Sequence, residues 1–348
     1  MFVLENKNAD PFKGVFTWKG QITDSTDKWA IDGTVFNHPY HGLYFLWSGW
    51  PGNVNGRQNL YIAKMTNPWT ISSERVEIST PTYPWEINHS PYINEGPQVT
   101  IRNEVISLVY SASGSWTNDY CLGLITANIN ADLLKPTSWH KHPAPIFQSA
   151  NNVFGPGHHS FTTSPDGKED WIVYHSARFR GAGWTRQVRT QKFTWNADST
   201  PNLGEPVPRN KPIPIPSGEP LRHRYEVEHG RFVNGPKIIK DSTGSNNNKV
   251  GYIDKLNSTV IVTIQCEKTD TYVIVIRNGN GSGGKVDATH RLSINNGTEI
   301  NVDVVYSGWN MWGASILKAK LNQGVNELTF KKGNKFAELD VIDVFLDS

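Results

Sequence analysis

A repeat narrows the fold of this chain more than any other feature. Tyr44-Phe45-Leu46-Trp47-Ser48, Leu108-Val109-Tyr110-Ser111 and Ile172-Val173-Tyr174-His175-Ser176 begin at 44, 108 and 172, a spacing of 64 in both steps. Each is an apolar, aromatic-rich run too short for a helix and ending in small or polar residues, as a buried strand does. The surrounding residues 1–200 show no long helical period. They offer strands at 15–18, 34–36, 43–47, 60–64, 99–101, 105–110, 121–127, 160–163, 171–175 and 188–195, separated by turn clusters. An internal period in all-β sequence reads as the blades of a β-propeller, each of four strands. Because 64 exceeds the roughly 40–50 residues of common propeller repeats, long loops between strands are expected.

Two acids keep the same phase. Asp32, in Trp29-Ala30-Ile31-Asp32-Gly33, and Glu95, in Ile93-Asn94-Glu95-Gly96-Pro97, are 63 residues apart, and another 63 leads to His158 in Gly155-Pro156-Gly157-His158-His159. Equivalent blade positions converge on a propeller axis, so the three residues are expected around one pocket. Asp before Gly and Glu before Gly-Pro are also ordinary turn pairs, and either acid alone carries little. Paired carboxylates on a β scaffold rich in aromatics suggest carbohydrate chemistry.

Composition bounds the rest. At 348 residues the chain exceeds one core, and more than one domain is expected. With 34 basic and 32 acidic residues the net charge is +2, which calls for no polyelectrolyte partner. No Lys/Arg cluster interleaves with aromatics as in a nucleic-acid groove. No apolar run reaches the length of a membrane span. Cys121 and Cys266 are too few and too far apart for a disulfide framework, and buried thiols are expected. Met1-Phe2-Val3-Leu4 lacks the features of a signal peptide and reads as the end of a strand under way. Sequons at Asn88, Asn257 and Asn296 are compatible with secretion.

Seven prolines between 201 and 220 mark a rigid, extended connector. Residues 224–348 then alternate apolar and polar positions, as in Val260, Val262 and Ile264, which favours a β-sandwich. Its strands are expected at 225–228, 250–253, 259–265, 271–277, 290–294, 299–305, 314–320, 327–330 and 339–345. The division expected is 1–216, a linker at 217–223, and 224–348. The glycine-rich 279–284 before Lys285 lacks the helix of a phosphate loop and reads as a hairpin loop.

These motifs resemble glycoside hydrolase family 43, in the branch of the α-L-arabinofuranosidases. The resemblance is carried by Trp29–Phe36, Asn94-Glu95-Gly96-Pro97, Gly155–Phe161, Val188–Trp195 and Asn202-Leu203-Gly204, in order over 1 to about 216. It implies a five-bladed propeller with an axial pocket and hydrolysis with inversion. Three acids serve that chemistry in the family. By motif Glu95 resembles the general acid and Asp32 the residue that tunes its pKa and orients it. Arg186 falls where the family binds substrate, with Arg189 the alternative. His158 resembles the axial His, or is a buried hydrogen-bonded one. Trp29 and Trp50 are expected to wall the sugar pocket, and Trp47 to pack in the core.

The family's base lies upstream in the first blade within an Asp-Pro motif. Asp10-Pro11 imitates that motif, yet stands only 22 residues before Asp32 and reads as a connecting loop. The chain is therefore expected to be a fragment: a five-bladed propeller lacking its N-terminal blade region and its signal peptide, extracellular, monomeric and impaired in turnover. The alternative is a catalytically inactive carbohydrate-binding protein. Residues 224–348 resemble carbohydrate-binding modules of families 35 and 6. That resemblance implies a structural calcium at Glu226, Glu228 and Asp340, or else plain strand acids. It implies sugar contacts at Tyr252, Trp309 and Trp312. No organic cofactor, nucleic acid or membrane is expected. The expected partner is plant cell-wall polysaccharide, arabinan or arabinoxylan, cut at α-L-arabinofuranosyl or β-xylosyl ends.

Overall fold

A strand covered on both faces needs apolar residues at consecutive positions rather than alternate ones. The repeated motif supplies that pattern. In the computed structural model, which describes residues 1–11, 13–208, 211–309 and 311–347, Leu46 joins one core with Phe36, Leu60, Ile62, Leu108 and Tyr110. Its neighbours Phe45 and Trp47 turn the other way, into a core with Ile22, Tyr61 and Met65. Val109, between Leu108 and Tyr110, faces a third core with Leu122, Phe147, Ile172 and Tyr174. The first two motif strands are thus the partitions between successive cores. Each fully buried Leu or Ile there contributes about 1.5–3 kcal/mol relative to exposure.

The chain divides into two compact units, Met1–Glu219 and Pro220–Ser348. The first opens with a ribbon, β1 (Phe2–Asn6) paired with β2 (Phe16–Gln21). Three four-stranded blades follow. The first holds β3 (Ala30–His38), β4 (Gly42–Gly49), β5 (Arg57–Asn67) and β7 (Val76–Ser79), with the short β6 (Thr70–Ile71) also on β5. The second holds β8 (Tyr92–Arg102), β9 (Val105–Ala112), β10 (Cys121–Asn128) and β11 (His140–Lys141). The third holds β12 (Phe154–Thr163), β13 (Asp170–Ala177), β14 (Arg186–Trp195) and β15 (Pro201–Asn202). Pairing within blades is antiparallel, and a short parallel contact of Arg57 and Gln58 with Tyr92 and Ile93 joins the first two.

The expected connector is partly absorbed by this unit. Pro201 and Asn202 pair with β14, Leu203 is buried, and Gln191 binds the carbonyls of Leu203 and Glu205. Ser217 bonds back to Asp166 and Glu169. Prolines lack an N–H to offer a sheet, but the intervening residues do not, and they supply these contacts.

The second unit is a β-sandwich. One sheet runs β18 (Lys237–Lys240), β19 (Asn248–Gly251), β26 (Glu338–Leu346), β21 (Asp270–Gly279), β24 (Gly313–Leu321), with β16 (His223–Glu226) on β26. The other runs β17 (Arg231–Val233), β20 (Thr259–Cys266), β25 (Gly324–Lys332), β22 (Ala288–Ile294), β23 (Ile300–Val304). Val260, Val262 and Ile264 enter the core and Thr263 and Gln265 face outward, as the alternation requires. Two expected strands end early: Val227 and Glu228 lie in a single 3-10 turn, and Tyr252 has φ +60. Both cysteines are buried and free, and burial pushes the Cys121 thiol up to about 12.

Candidate active site

The first strand of every blade carries a β-bulge. The register slips between Ile31 and Thr34 in β3, between Glu95 and Gln98 in β8, and between Gly157 and Ser160 in β12. A bulge adds a residue, bends the strand and re-aims side chains, and it needs a backbone near the left-handed region. That residue is Asp32 at φ +58, Gly96 at φ +55 and His158 at φ +49. Gly adopts such angles freely, and Asp and His tolerate them better than most residues. The phase read from sequence is therefore one residue out in the second blade. Gly96, not Glu95, is the counterpart of Asp32 and His158, while Glu95 pairs opposite Ser111 as Ile31 does opposite Ser48.

The offset brings the groups into contact. Asp32 Oδ2 accepts a hydrogen bond from Gly96 N at 3.0 Å, and Asp32 Oδ1 lies 3.9 Å from His158 Nε2. His158 N donates to Ser111 Oγ at 2.8 Å, and Ser48 Oγ donates to Asn94 O at 2.8 Å, so the first two motif serines each tie their blade to the next. Glu95 is 8% exposed and accepts one hydrogen bond, from Tyr120 Oη to Oε1 at 2.6 Å. Burial raises its pKa. The Tyr120 hydrogen bond opposes that rise, the charge of Asp32 adds to it, and His158 opposes it. A buried carboxyl that holds its proton more tightly than usual, with a second carboxyl facing it, is the arrangement a proton donor requires.

Arg186 completes the wall. Its Nε donates to His175 Nδ1 at 2.9 Å, its Nη2 to Gly155 O, and its guanidinium lies over the Tyr120 ring. Arg186 Nη1 is buried without a hydrogen-bond partner. His175 stacks on Tyr120 at 5.8 Å; burial, then the charges of Arg186 and His158, bring its pKa down to about 4. The alternative, Arg189, binds Ser176 Oγ and Val207 O and holds the proline segment.

The structure brings together Asp32, Glu95, His158 and Arg186 but sets the tryptophans apart. Trp29 and Trp50 stack on each other at 4.8 Å. Trp29 lines a cavity of about 250 Å³ with Asp24, Trp47 and Arg75, which none of the four residues lines. Asp10 lies in the loop between β1 and β2, paired with Lys13 at 3.1 Å. Among the described residues no third carboxylate bonds to Asp32 or Glu95. Sequence reading missed Tyr120 and the Glu86 network below it, which involve a loop end and a 3-10 turn without periodicity.

In the second unit, Glu226 Oε1 accepts from Ser245 Oγ, and Glu228 Oε1 from Asn246 and Asn248. Glu226 Oε2, Glu228 Oε2 and Asn248 Oδ1 are buried without partners, a set of hard oxygen donors. Asp340 is held by Arg277 at 2.6 Å and by Ser245 N. Among the described residues no group of three or more His, Cys, Asp or Glu is gathered for a metal. Tyr252 and Trp309 are exposed, whereas Trp312 donates to Thr243 Oγ1 and has Arg277 and Lys249 over its ring.

Comparison with known proteins agrees with this geometry. The profile of the glycosyl hydrolases family 43 matches residues 1–201. An extracellular exo-alpha-(1->5)-L-arabinofuranosidase of Streptomyces avermitilis is 42% identical over 217 residues, covering 60% of this chain and 44% of that protein. Alpha-L-arabinofuranosidase 43 of Humicola insolens is 41% identical over 259 residues, 71% of this chain and 51% of the relative. The crystal structure of an alpha-L-arabinofuranosidase from Lactobacillus brevis aligns with TM-score 0.57 at 40% identity, over 61% of this chain and 67% of that one. The chain spans about half the length of the curated relatives it matches.

Proposed function

The chain belongs to family 43 of the glycosyl hydrolases, and we propose that it removes terminal α-L-arabinofuranosyl residues from arabinan or arabinoxylan by a single inverting displacement. The observation that carries this reading is Glu95, buried, raised in pKa and facing Asp32. Glu95 gives its proton to the glycosidic oxygen as the C1–O bond breaks, and water attacks C1 from the opposite face, passing its own proton to solvent. Asp32 keeps Glu95 protonated through its charge, anchored by the Gly96 N–H. Arg186, held by His175 and lying over the Tyr120 ring, lends positive charge to the wall of the site. The names of the relatives favour arabinofuranosyl over β-xylosyl ends and support action outside the cell. Glu95→Gln should lower turnover of arabinan by about 10²–10⁴-fold, measured as reducing sugar. It should spare arabinofuranosides of strongly acidic phenols, which leave unaided. An unchanged rate on arabinan removes Glu95 from the role.

A second reading has one specific support. Inversion needs a base that takes the water's proton, set roughly 6.5–9.5 Å from the acid, and Asp10, in the Asp-Pro pair that imitates the family's base motif, is engaged by Lys13 in the loop between β1 and β2. In that reading the chain binds sugar without turning it over. Sugar binding with no release of reducing ends would favour it.

For the second unit we propose carbohydrate binding at Tyr252 and Trp309 and a calcium ion held by Glu226 and Glu228 with Asn248 beside them. The support is the buried oxygens without partners. Asp340 is the less suited member, since Arg277 already neutralises it. When bound, the ion supplies positive charge to these donors and adds to folding stability by mass action. An unchanged melting temperature in excess chelator would remove the ion.

A further inference from the structure

Two hairpin loops grow out of the strands that carry the Glu95 group. Residues 113–120 join β9 to β10, starting just after Ser111 and Ala112 and ending on Tyr120. Residues 178–185 join β13 to β14 and end one position before Arg186. The loops are tied to each other. Trp184 Nε1 donates to Ser115 Oγ at 3.1 Å, Gly181 N to Asn118 Oδ1 at 3.0 Å, and the Trp116 and Trp184 rings meet edge to face at 5.9 Å. They are also tied to the floor of the site. Ser149 Oγ donates to Asn118 O at 2.5 Å and accepts from Gly155 N at 2.7 Å, and the Gly155 carbonyl takes Arg186.

Trp184 nevertheless stays 72% exposed. An indole fixed through its N–H and its edge, with the rest of its surface in water, serves no core. Its π face is electron-rich and meets the slightly positive C–H face of a sugar ring well. Both loops belong to the second and third blades and reach Glu95 through Tyr120, the residue that holds the proton donor. A proton donor faces the leaving group, so sugar beyond the scissile bond comes to these loops.

We propose that Trp184, braced by Trp116 and Ser115, is a stacking platform for the sugar on the leaving-group side of the scissile bond of a pentose oligosaccharide. This rests on the hydrolase reading above. Stacking on a pre-positioned aromatic of this kind is worth about tenfold in affinity, or 1.4 kcal/mol.

The test is calorimetric titration of the full chain with L-arabinose and with α-1,5-linked arabinotriose. Glu95→Gln, Tyr252→Ala and Trp309→Ala are included throughout, so that the trisaccharide is not cleaved and the second unit does not add binding. Trp184→Ala should weaken arabinotriose about tenfold and leave arabinose unchanged. Trp184→Phe keeps a ring while losing the bond to Ser115, and should retain most of the affinity. An unchanged affinity for arabinotriose in Trp184→Ala overturns the platform. So does equal weakening of both sugars, which would mean that Trp184 only shapes the loop. If neither sugar binds with Trp184 intact, the hydrolase reading fails and takes the platform with it, and that outcome is visible before Trp184 is touched.

Discussion

Glu86 and Glu95 are nine residues apart in sequence, both buried, and differently equipped. Glu86 accepts from Thr82 N, Tyr83 N, Asn94 Nδ2 and Tyr110 Oη, and Lys141 Nζ sits 2.8 and 2.9 Å from its two oxygens. Burial alone would raise its pKa, but Lys141 and the backbone donors outweigh it and the net shift is downward. Glu95 has one hydrogen bond, no cation as close, and a like charge opposite, and its pKa is raised. Asn94 connects the two: its side chain belongs to the Glu86 network, and the next residue is Glu95. Burial alone does not decide what a carboxylate does. Its compensation does.

The largest way to break this contrast is to remove the cation. Lys141→Met leaves Glu86 buried without its counter-charge and should cost about 3–5 kcal/mol of stability in urea unfolding. Glu95→Gln should cost under about 1 kcal/mol at neutral pH, or stabilise, because it replaces a carboxyl whose ionised form the fold compensates poorly. The two sites also differ in sign with pH. Glu86, lowered on folding, contributes stability above the unfolded carboxylate pKa that is lost as pH falls through the folded value. Glu95, raised on folding, binds its proton more tightly when folded, so its contribution falls as pH rises through the raised value. Equal losses in the two variants would end the distinction.

Much of this fold was legible because local pattern and burial coincide. The apolar runs at 44 and 108 had to be strands between two cores, and alternation at Val260, Val262 and Ile264 had to face one. The site was legible to within a residue. A bulge inserts one position into one strand only, so counting along the chain put Glu95 level with Asp32, where pairing puts Gly96. Tyr120 and Lys141 were not legible. Lys141 reaches Glu86 across 55 residues from a two-residue strand, and neither element has a period to betray it. Trp29 and Trp50 were assigned to the pocket for their chemistry; Trp29 precedes β3, Trp50 follows β4, and the two stack on each other.

A smaller effect sharpens the same contrast in the third blade. His158 is 44% exposed, faces Asp32, and serves the site. Its neighbour His159 is buried with both ring nitrogens unpartnered, and burial, with His158 adding, brings its pKa down to about 3. The unfolded chain binds that proton near pH 6.5, so stability is full above that value and falls as pH drops toward 3. His159→Leu should remove this loss. The variant should gain roughly 2 kcal/mol on the parent between pH 8 and pH 5, read from urea midpoints at the two values. A constant difference across that range would show that His159 is not the group that charges.

The smallest and most specific effect concerns Asp32. Asp32→Asn keeps an oxygen to accept from Gly96 N, so the tie between the first two blades survives, while the like charge facing Glu95 is gone. The pKa of Glu95 should then fall, though not to that of an exposed Glu, because burial, the larger cause, is untouched. Carboxyl carbon NMR of Glu95 reads this directly and needs no turnover; where turnover is measurable, the limb of the pH profile set by the proton donor should move to lower pH. Asp32→Ala removes charge and acceptor together. It should shift Glu95 in the same direction and also loosen Gly96, seen as faster amide exchange there. If Asp32→Asn leaves the Glu95 titration where it was, Asp32 acts through the Gly96 contact alone, and Glu95 would owe its proton to burial as Glu86 owes its charge to Lys141.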